Sequence, residues 1–488
     1  MKCGTLSFFK FEGLPVPKVY GLGKLFISLF LTHRLNLSQS ESLKKDSDTK
    51  CQGLKSRLFG TIFGKVRYWR TYIYSTASSG GYYPLDIEPG LPLDGFSMAL
   101  RSHAARLATK MSYSQAVSVL VIFLNWTPCQ KTVEETVLGL GRHTQQWFES
   151  APAPENDGDV LIIFADSWGN PMATEEELKK RRVKRGPDKK AASQRHRGRK
   201  KRKKRGREKR KKKGDKSKNA KMATIIVIHT LKRGDDGRLE GPINKKVYAS
   251  YAPKRHAIAI ARREADKRGF TEDSGKQVRV VTDGDNDLER YIEEFFPSAI
   301  HTIDVFHVTE YIWEAGRSLY KEGSEELEQW VEELPDALYD SRVSDIIKEL
   351  ERRLRLIPKK GPGNKGRRER LTKTIRYLKH RIDKMDYKNL QEQDLEISSG
   401  AVEGAVKNVI AKRFDNGGMR WIKERSEALL QLRCIEVNDD WDEFISYVHG
   451  KFCNLTQQNQ KIYSSNRQKL ILCQDSELTG DIKYENER

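Results

Sequence analysis

Cysteine is sparse in this sequence and nowhere paired. Cys3, Cys51, Cys129, Cys434, Cys453 and Cys473 are scattered along the chain with no two close together. That argues against a zinc ribbon, a C-x-x-C redox motif and a disulfide-stapled scaffold, and suits a reducing cytoplasm. Long hydrophobic runs are also missing. The longest near the start, Leu22 to Leu31, is interrupted by Lys24 and falls far short of the roughly 20 apolar residues a membrane helix needs. Lys10 and Lys18 precede it as they would a signal peptide, but no small-residue cleavage site follows before Thr32-His33-Arg34, so neither secretion nor a membrane partner is expected. Residues 1–55 match no pattern and are expected to be unassigned and poorly ordered. There is no internal repeat.

Positive charge, by contrast, is abundant. The chain has 488 residues with 90 Lys+Arg against 67 Asp+Glu, a formal net charge of +23. Residues 179–221 alone contain 26 basic and 3 acidic residues, so they hold the entire excess, and the other 445 residues carry 64 of each sign. Outside that segment the charged fraction is that of an ordinary globular protein, long enough for two or three domains. From Ala191 to Lys221 there is no aromatic and almost no aliphatic residue, so the segment cannot form a core and is expected to be a disordered loop. Its densest stretch, Arg199, Lys200, Lys201, Arg202, Lys203, Lys204 and Arg205, would neutralise phosphates and give salt-dependent, sequence-independent binding to DNA.

The pattern along the rest of the chain implies an order of elements. Phe59 to Tyr74 alternates in the period of a half-buried hairpin. Residues 104–111, 114–126 and a stretch opening near Thr132 have helical period, compatible with a helix-turn-helix or with a plain helical bundle. After a linker at Pro152 to Gly158 come buried-strand patterns: Val160 to Phe164, Thr224 to Leu231, Lys246 to Tyr251, Val278 to Val281 and Ala299 to Ile303. Helical stretches at 256–267 and 287–295 are interleaved with the last two. Three strands in hairpin-like succession followed by helix, strand, helix, strand predict an α/β fold of the ribonuclease-H-like plan. Residues 308–396 are charged and helical, broken at Pro335 and at Pro358 to Gly366. Helices then follow at 401–412 and 423–437. The expected division is 1–55 unassigned, 56–151 an N-terminal hairpin and helical DNA-binding region, 158–448 the catalytic domain with an all-α insertion at 308–396, and 452–488 a polar tail. Gly361 to Gly366 formally matches G-x-G-x-x-G but follows a charged helix and contains Pro362, so it reads as a linker.

Three acidic residues stand at element ends. Asp166 follows VLIIFA, Asp283 follows VRVVT, and Glu403 lies in the first turn of a helix opening with Ser398-Ser399-Gly400. A lone Asp after a strand is ordinarily a turn residue or a cap. Two on strands of one sheet, with a glutamate beyond, have the pattern of carboxylates held at the edge of a cleft. Such a trio can hold two Mg²⁺ ions, or Mn²⁺ in their place, about 3.5–4 Å apart for in-line phosphoryl displacement, and the all-oxygen set disfavours zinc. Within Asp283-Gly284-Asp285-Asn286-Asp287, Asp283 ends the strand, whereas Asp285 and Asp287 suit a helix cap and first turn. Asp304 and His307 lie one turn apart after the next strand. They could support a metal-bound carboxylate or be a cap and a structural histidine.

These residues carry a resemblance. The runs Val280-Val281-Thr282-Asp283-Gly284 and Ile303-Asp304-Val305-Phe306-His307-Val308-Thr309-Glu310 resemble the second catalytic block of DDE transposases of bacterial insertion sequences, in particular the ISKra group. Ser399-Gly400-Ala401-Val402-Glu403-Gly404, Lys412-Arg413-Phe414 and Gly418-Met419-Arg420-Trp421 are similar to the block around that group's catalytic glutamate, and Tyr83-Pro84-Leu85-Asp86 also fits. The likeness spans about Leu58 to Val448. It implies a transposase that cleaves and rejoins double-stranded DNA in a bacterial cytoplasm, near the nucleoid, as a homodimer or higher oligomer. Asp166, Asp283 and Glu403 would be its Mg²⁺ ligands, Asp304 and His307 the accompanying D-x-x-H, and Arg413, Arg420 and Lys423 backbone contacts. The alternatives are a non-catalytic nucleic-acid-binding protein that uses the polybasic loop, and a nuclease without strand transfer.

Overall fold

The computed structural model describes residues 13–42, 49–75, 80–87, 90–92, 95–124, 126–184, 220–415, 419 and 421–458. The chain divides into two compact units, one formed by Met1–Phe148 with Glu427–Arg488 and the other by Glu149–Ser426.

In the first unit, the described residues 13–42 and 49–55 depart from the expected poor order. Pro15–Ser42 is a helix, α1, and Thr49–Thr61 is strand β1. Burial explains the helix, since Leu31 and Leu35 on one face of α1 pack with Phe59, Tyr68 and Leu85. β1 pairs antiparallel with β2, Gly64–Ser75, with Phe59 opposite Val66, and β3, Gly80–Tyr82, extends the sheet. Gly64 closes the tight turn at a φ of +114°, where a Cβ would be strained. In the short helix Pro84–Ile87 that packs on β2, Asp86 is 3% exposed. It accepts a 2.6 Å hydrogen bond from the Tyr68 hydroxyl and pairs with the guanidinium groups of Arg57 (3.0 Å) and Arg70.

Helices Met98–Lys110 (α2), Tyr113–Phe123 (α3) and Gln130–Gly141 (α4) follow. Ser97 caps α2, and Ser112 with Gln115 forms a capping box on α3, which satisfies end amides that would otherwise go without partners. The last helices of the chain complete this unit. Trp441 Nε1 donates to Ser102 Oγ at 2.9 Å, Arg106 pairs with Glu436 at 2.8 Å, and Trp147 meets Phe444 edge-on. The second unit therefore ends at Ser426, not at the expected 448. The final helix runs Trp441–Gln458, and residues 459–488 lie outside the described set.

The second unit is built on a five-stranded mixed sheet in the order β6-β5-β4-β7-β8. Its strands are β4, Val160–Pro171; β5, Ala220–Arg233; β6, Leu239–Ser250; β7, Gln277–Thr282; and β8, Ile300–Ile303. β4, β5 and β6 form an antiparallel meander, and β7 and β8 add parallel to β4. This is the strand plan expected from the sequence. The unbroken apolar run of β4 is the signature of a strand buried on both faces. Helix α5, Lys254–Lys267, packs on β5 and β6, and α6, Asn286–Phe295, packs on β7. Of the polybasic segment, the start lies in helix Glu175–Lys184 and the end in β5, while residues 185–219 lie outside the described set.

After β8 come α7, Val305–Leu319; α8, Glu325–Tyr339; α9, Val343–Leu356; and α10, Asn364–Lys379. Val343, Ile346, Ile347 and Leu350 make the buried stripe of α9 at helical spacing. The expected break at Pro335 does not occur, because α8 continues through it. The break between Pro358 and Gly366 does occur, with a loop joining α9 to α10, so the G-x-G-x-x-G match is a helix connection.

One residue of the core breaks the pattern. Arg279 in β7 is 0% exposed, and its three guanidinium nitrogens have no hydrogen-bond partner among the described residues. Burial lowers its pKa to about 10, with Glu396 opposing. A buried charge with so little compensation costs stability, so Arg279→Met should raise unfolding free energy by about 1–3 kcal/mol. The check is an upward shift of the denaturant midpoint at unchanged slope; a downward shift means that the guanidinium is compensated.

Candidate carboxylate site

Asp166 and Asp283 are brought side by side by strand register. Ala165 on β4 is the parallel partner of Thr282 on β7, so each Asp is the next residue beyond a matched pair, on strands about 4.8 Å apart. Asp166 lies within the long β4, where it faces Ile225 of β5, and Asp283 is the first residue after β7. Each is held by its own loop. Asp166 Oδ1 accepts from the Ser167 amide at 2.5 Å, and Asp283 Oδ1 from the Asp285 amide at 2.9 Å. Asp285 caps α6 through the amides of Asp287 and Leu288, as its spacing suggests.

Neither Asp166 nor Asp283 forms an ion pair among the described residues. Burial raises the Asp166 carboxyl to about 6, with the charges of Asp283 and Asp304 adding to it, and burial also raises Asp283. Two partly buried carboxylates, with only Lys254 and His307 acting on them from a distance, form a site short of positive charge.

The sign of the pH dependence follows. In the metal-free protein the folded state holds the Asp166 proton more tightly than the unfolded chain does. The resulting stabilisation is fully present below about pH 4 and is lost as pH rises through about 6, at most ~2–3 kcal/mol from this group. Thermal melts of metal-free protein should therefore show unit 2 losing stability between pH 4 and 6.5. Added Mg²⁺ should raise the melting temperature at pH 7 but hardly at pH 4.5. A Mg²⁺ effect equal at both pH values counts against a cation on this pair.

Asp304 does not join the pair as a ligand. It is 1% exposed, caps α7 by accepting from the Phe306 amide at 3.0 Å, and accepts from both the amide (3.2 Å) and the hydroxyl of Ser399. Its own amide donates to the Thr282 carbonyl at 2.8 Å. It thus ties the end of β7 to the segment that opens the Glu403 helix, and it is a positioning residue. His307 is 38% exposed, with Nδ1 3.9 Å from Asp304 Oδ2, and its charge is felt by both Asp166 and Asp283.

Glu403 stands apart. It lies in α11, Gly400–Ala405, whose first turn is anchored by the Glu403 amide on the Ser399 carbonyl at 3.0 Å, and it is exposed. α11 packs on β4 and β5, but among the described residues no three Asp, Glu, His or Cys side chains are close enough to hold one metal ion. The donor chemistry of Asp166 and Asp283 fits a hard, oxygen-ligated cation, and Glu403 completes no cage in this arrangement.

The segment after α11 is not the α-helix expected to reach Lys412. Val406–Asp415 is π-helical, a geometry found mostly at functional sites. It turns Arg413 inward, 2% exposed, with the guanidinium 4.8 Å from the Trp421 ring centroid. Arg413 is therefore a core residue and not the expected surface DNA contact. Lys423 is half-buried at the start of helix Lys423–Val437. Arg420 and the stretch Arg199 to Arg205 lie outside the described residues.

No protein-family model matches this chain, and no curated protein does. Among solved structures it is similar to the Drosophila P element transposase strand transfer complex. The identity is 11%, the match covers 73% of this chain and 95% of that one, and the TM-score is 0.29.

Two residues at the site carry no sequence signature. The Tyr377 hydroxyl donates to the Asp283 carbonyl at 3.0 Å. Arg381 donates to the Gly284 carbonyl at 2.9 Å and to Asn286, and pairs with Glu289 at 2.6 Å. Together they clamp the loop that carries Asp283. Gly284 makes the clamp possible, for at a φ of +78° a Cβ there would lie 2.6 Å from the Tyr377 oxygen.

Proposed function

We propose that this chain is a DDE transposase of a bacterial insertion sequence, of the ISKra group, that cleaves double-stranded DNA and transfers the strand. One observation carries the reading: two partly buried carboxylates with no direct ion pair among the described residues, on neighbouring parallel strands of a mixed sheet, Asp166 within β4 and Asp283 just past the end of β7. Asp166 and Asp283 would hold Mg²⁺, with Mn²⁺ as a substitute, and Glu403 would be the third ligand once charge on the pair is neutralised. The metal would supply charge neutralisation and activation of the attacking oxygen for phosphoryl transfer.

The chain's own residues divide the remaining work. Tyr377, Arg381 and Asp304 hold the Asp283 loop and the opening of α11 in register. His307 presents an imidazole beside the pair. The helices α2 to α4 would engage the element's ends, and the polybasic segment would add affinity for any DNA. The active form would be a homodimer or higher oligomer in the bacterial cytoplasm.

Glu403, exposed and outside any three-residue metal cage among the described residues, favours a second reading, a non-catalytic nucleic-acid-binding protein. A strand-transfer assay on element-end duplex with Mg²⁺ separates the two. Joined product from the wild type, lost in Glu403→Gln at unchanged DNA affinity, supports the transposase. Tight binding by the wild type with no cleavage in Mg²⁺ or Mn²⁺ leaves only the binding role.

A further inference from the structure

A second concentration of positive charge lies far along the sequence from the polybasic segment. Lys359, Lys365, Arg368, Thr372, Lys373 and Arg376 line an open cleft of about 430 Å³ along α10 and the loop before it, with Glu369 as the one acidic residue there. Thr372 is a small residue in the middle of the face, and the cations stand around it. Arg368 is fixed by donating to the Leu354 and Ile357 carbonyls at 2.8 and 2.6 Å, where α9 ends. Lys373 Nζ lies 5.0 Å from the Tyr311 ring centroid.

Lys359, Lys365, Lys373 and Arg376 form no ion pair with a carboxylate among the described residues. Lys379, further along α10, is neutralised by Glu351 at 2.6 Å. Unneutralised cations gathered around a concave surface repel one another unless an anion joins them.

The position of this cleft is what gives it a role. Arg376 is followed directly by Tyr377, whose hydroxyl holds the Asp283 carbonyl, and Tyr377 stacks on Tyr311 at 3.9 Å. One helix thus carries both the row of cations and, directly after its last member, the Tyr377 clamp on the Asp283 loop. From Lys365 to Tyr377 the helix rises about 18 Å. Phosphates along one DNA strand are spaced about 3.4 Å along the axis, so the cation row covers some five of them. A free triphosphate is shorter than this row and would leave most of the cations without a partner.

We propose that the cationic face of α10 binds the phosphodiester backbone of the DNA whose scissile phosphate lies at the Asp166–Asp283 pair. This assignment rests on the DNA-processing reading above and adds to it a second DNA-binding element, independent of the polybasic segment. The face sets the path of the duplex, and α10 couples that path mechanically to the Asp283 loop.

The test uses the full chain and a triple variant, Lys365→Gln/Lys373→Gln/Arg376→Gln. Arg368 is left in place because it holds the end of α9. Fluorescence anisotropy with a 30-base-pair duplex, from 50 to 400 mM NaCl, gives the slope of log affinity against log salt. Loss of three phosphate contacts should flatten that slope by about 2.7 and weaken binding at 0.1 M salt on the order of a hundredfold. A control with the same charge change at scattered exposed sites, Lys232→Gln/Lys245→Gln/Lys388→Gln, should flatten it by less than one.

Equal slopes for wild type and triple variant, or equal losses in both variants, overturn the proposal. So does a variant that keeps full DNA affinity but loses binding of inorganic tripolyphosphate, since the cleft would then serve a free polyphosphate. Failure here leaves the proposed function standing, because that is read from metal-dependent cleavage and not from the salt slope.

Discussion

Asp283→Asn should reduce Mg²⁺-dependent cleavage of element-end DNA by about a thousandfold or more, with duplex affinity unchanged. The substitution keeps the side-chain volume and an oxygen that can still accept from the Asp285 amide, so the loop, its Gly284 turn and the Tyr377 and Arg381 clamp have no reason to move. What it removes is one of only two charges on the pair. Losing a carboxylate that holds a catalytic cation forfeits several kcal/mol of transition-state stabilisation, and about 4 kcal/mol corresponds to a thousandfold in rate. Stability supplies an internal control. Burial disfavours the ionised form of Asp283, so without metal the Asn variant should melt no lower than the wild type at pH 7, and the gain in melting temperature from Mg²⁺ should shrink. A variant that cleaves at the wild-type rate would remove Asp283 from the chemistry altogether.

Asp86→Ala should destabilise the first unit by about 3–5 kcal/mol, the usual cost of removing one member of a buried, hydrogen-bonded ion cluster. Tyr68, Arg57 and Arg70 share the Asp86 carboxylate. Without it the two guanidinium groups, 10% and 17% exposed, lose the carboxylate they share. The same carboxylate, together with burial, keeps the Tyr68 hydroxyl protonated well above its ordinary range. With total domain stabilities of about 5–15 kcal/mol, the variant should retain little folded first unit. Hydrogen exchange of β1 and β2 amides measures this, and protection in β7 should be unchanged. Equal loss in both units would mean that the Asp86 cluster does not act locally.

The sheet was legible in the sequence because its central strands are buried on both faces, and a run such as Val160 to Phe164 has no other ready explanation. Asp285 and Asp287 could be set aside in favour of Asp283 because capping follows local rules. α1 was not legible. Its apolar residues lie on two sides, Val19, Leu22, Leu25, Phe26, Leu29 and Phe30 in an exposed band and Ile27, Leu31 and Leu35 toward the core, so that no single stripe stands out. What makes it a helix with a buried side is Phe59, Tyr68 and Leu85, supplied from elsewhere.

The site divides in the same way. Asp166 and Asp283 are neighbours through strand register, which buried patterns reveal. The inward turn of Arg413 depends on a π-helical shift of backbone hydrogen bonding that leaves no mark on residue type. Asp304 was open to two readings because a cap and a ligand look alike until Ser399, far along the chain, takes both of its oxygens. The return of the last helices to the first unit rests on pairs such as Arg106–Glu436 and Trp441–Ser102, and contacts so distant in sequence have no local signature.

That return has a bearing on how the protein is made. The first unit has its hairpin and helices α2 to α4 at one end of the chain, and the helices that cover Ser102, Arg106 and Trp147 at the other. The second unit is one uninterrupted stretch between them. At a synthesis rate of about 5–20 residues per second, the ribosome finishes the whole second unit before it emits Glu436 or Trp441. For tens of seconds the first-made helices are without their partners, so the usual order in which the leading domain folds first is reversed. The unit that holds the carboxylate pair can be complete while the unit begun before it still waits for the end of its own chain.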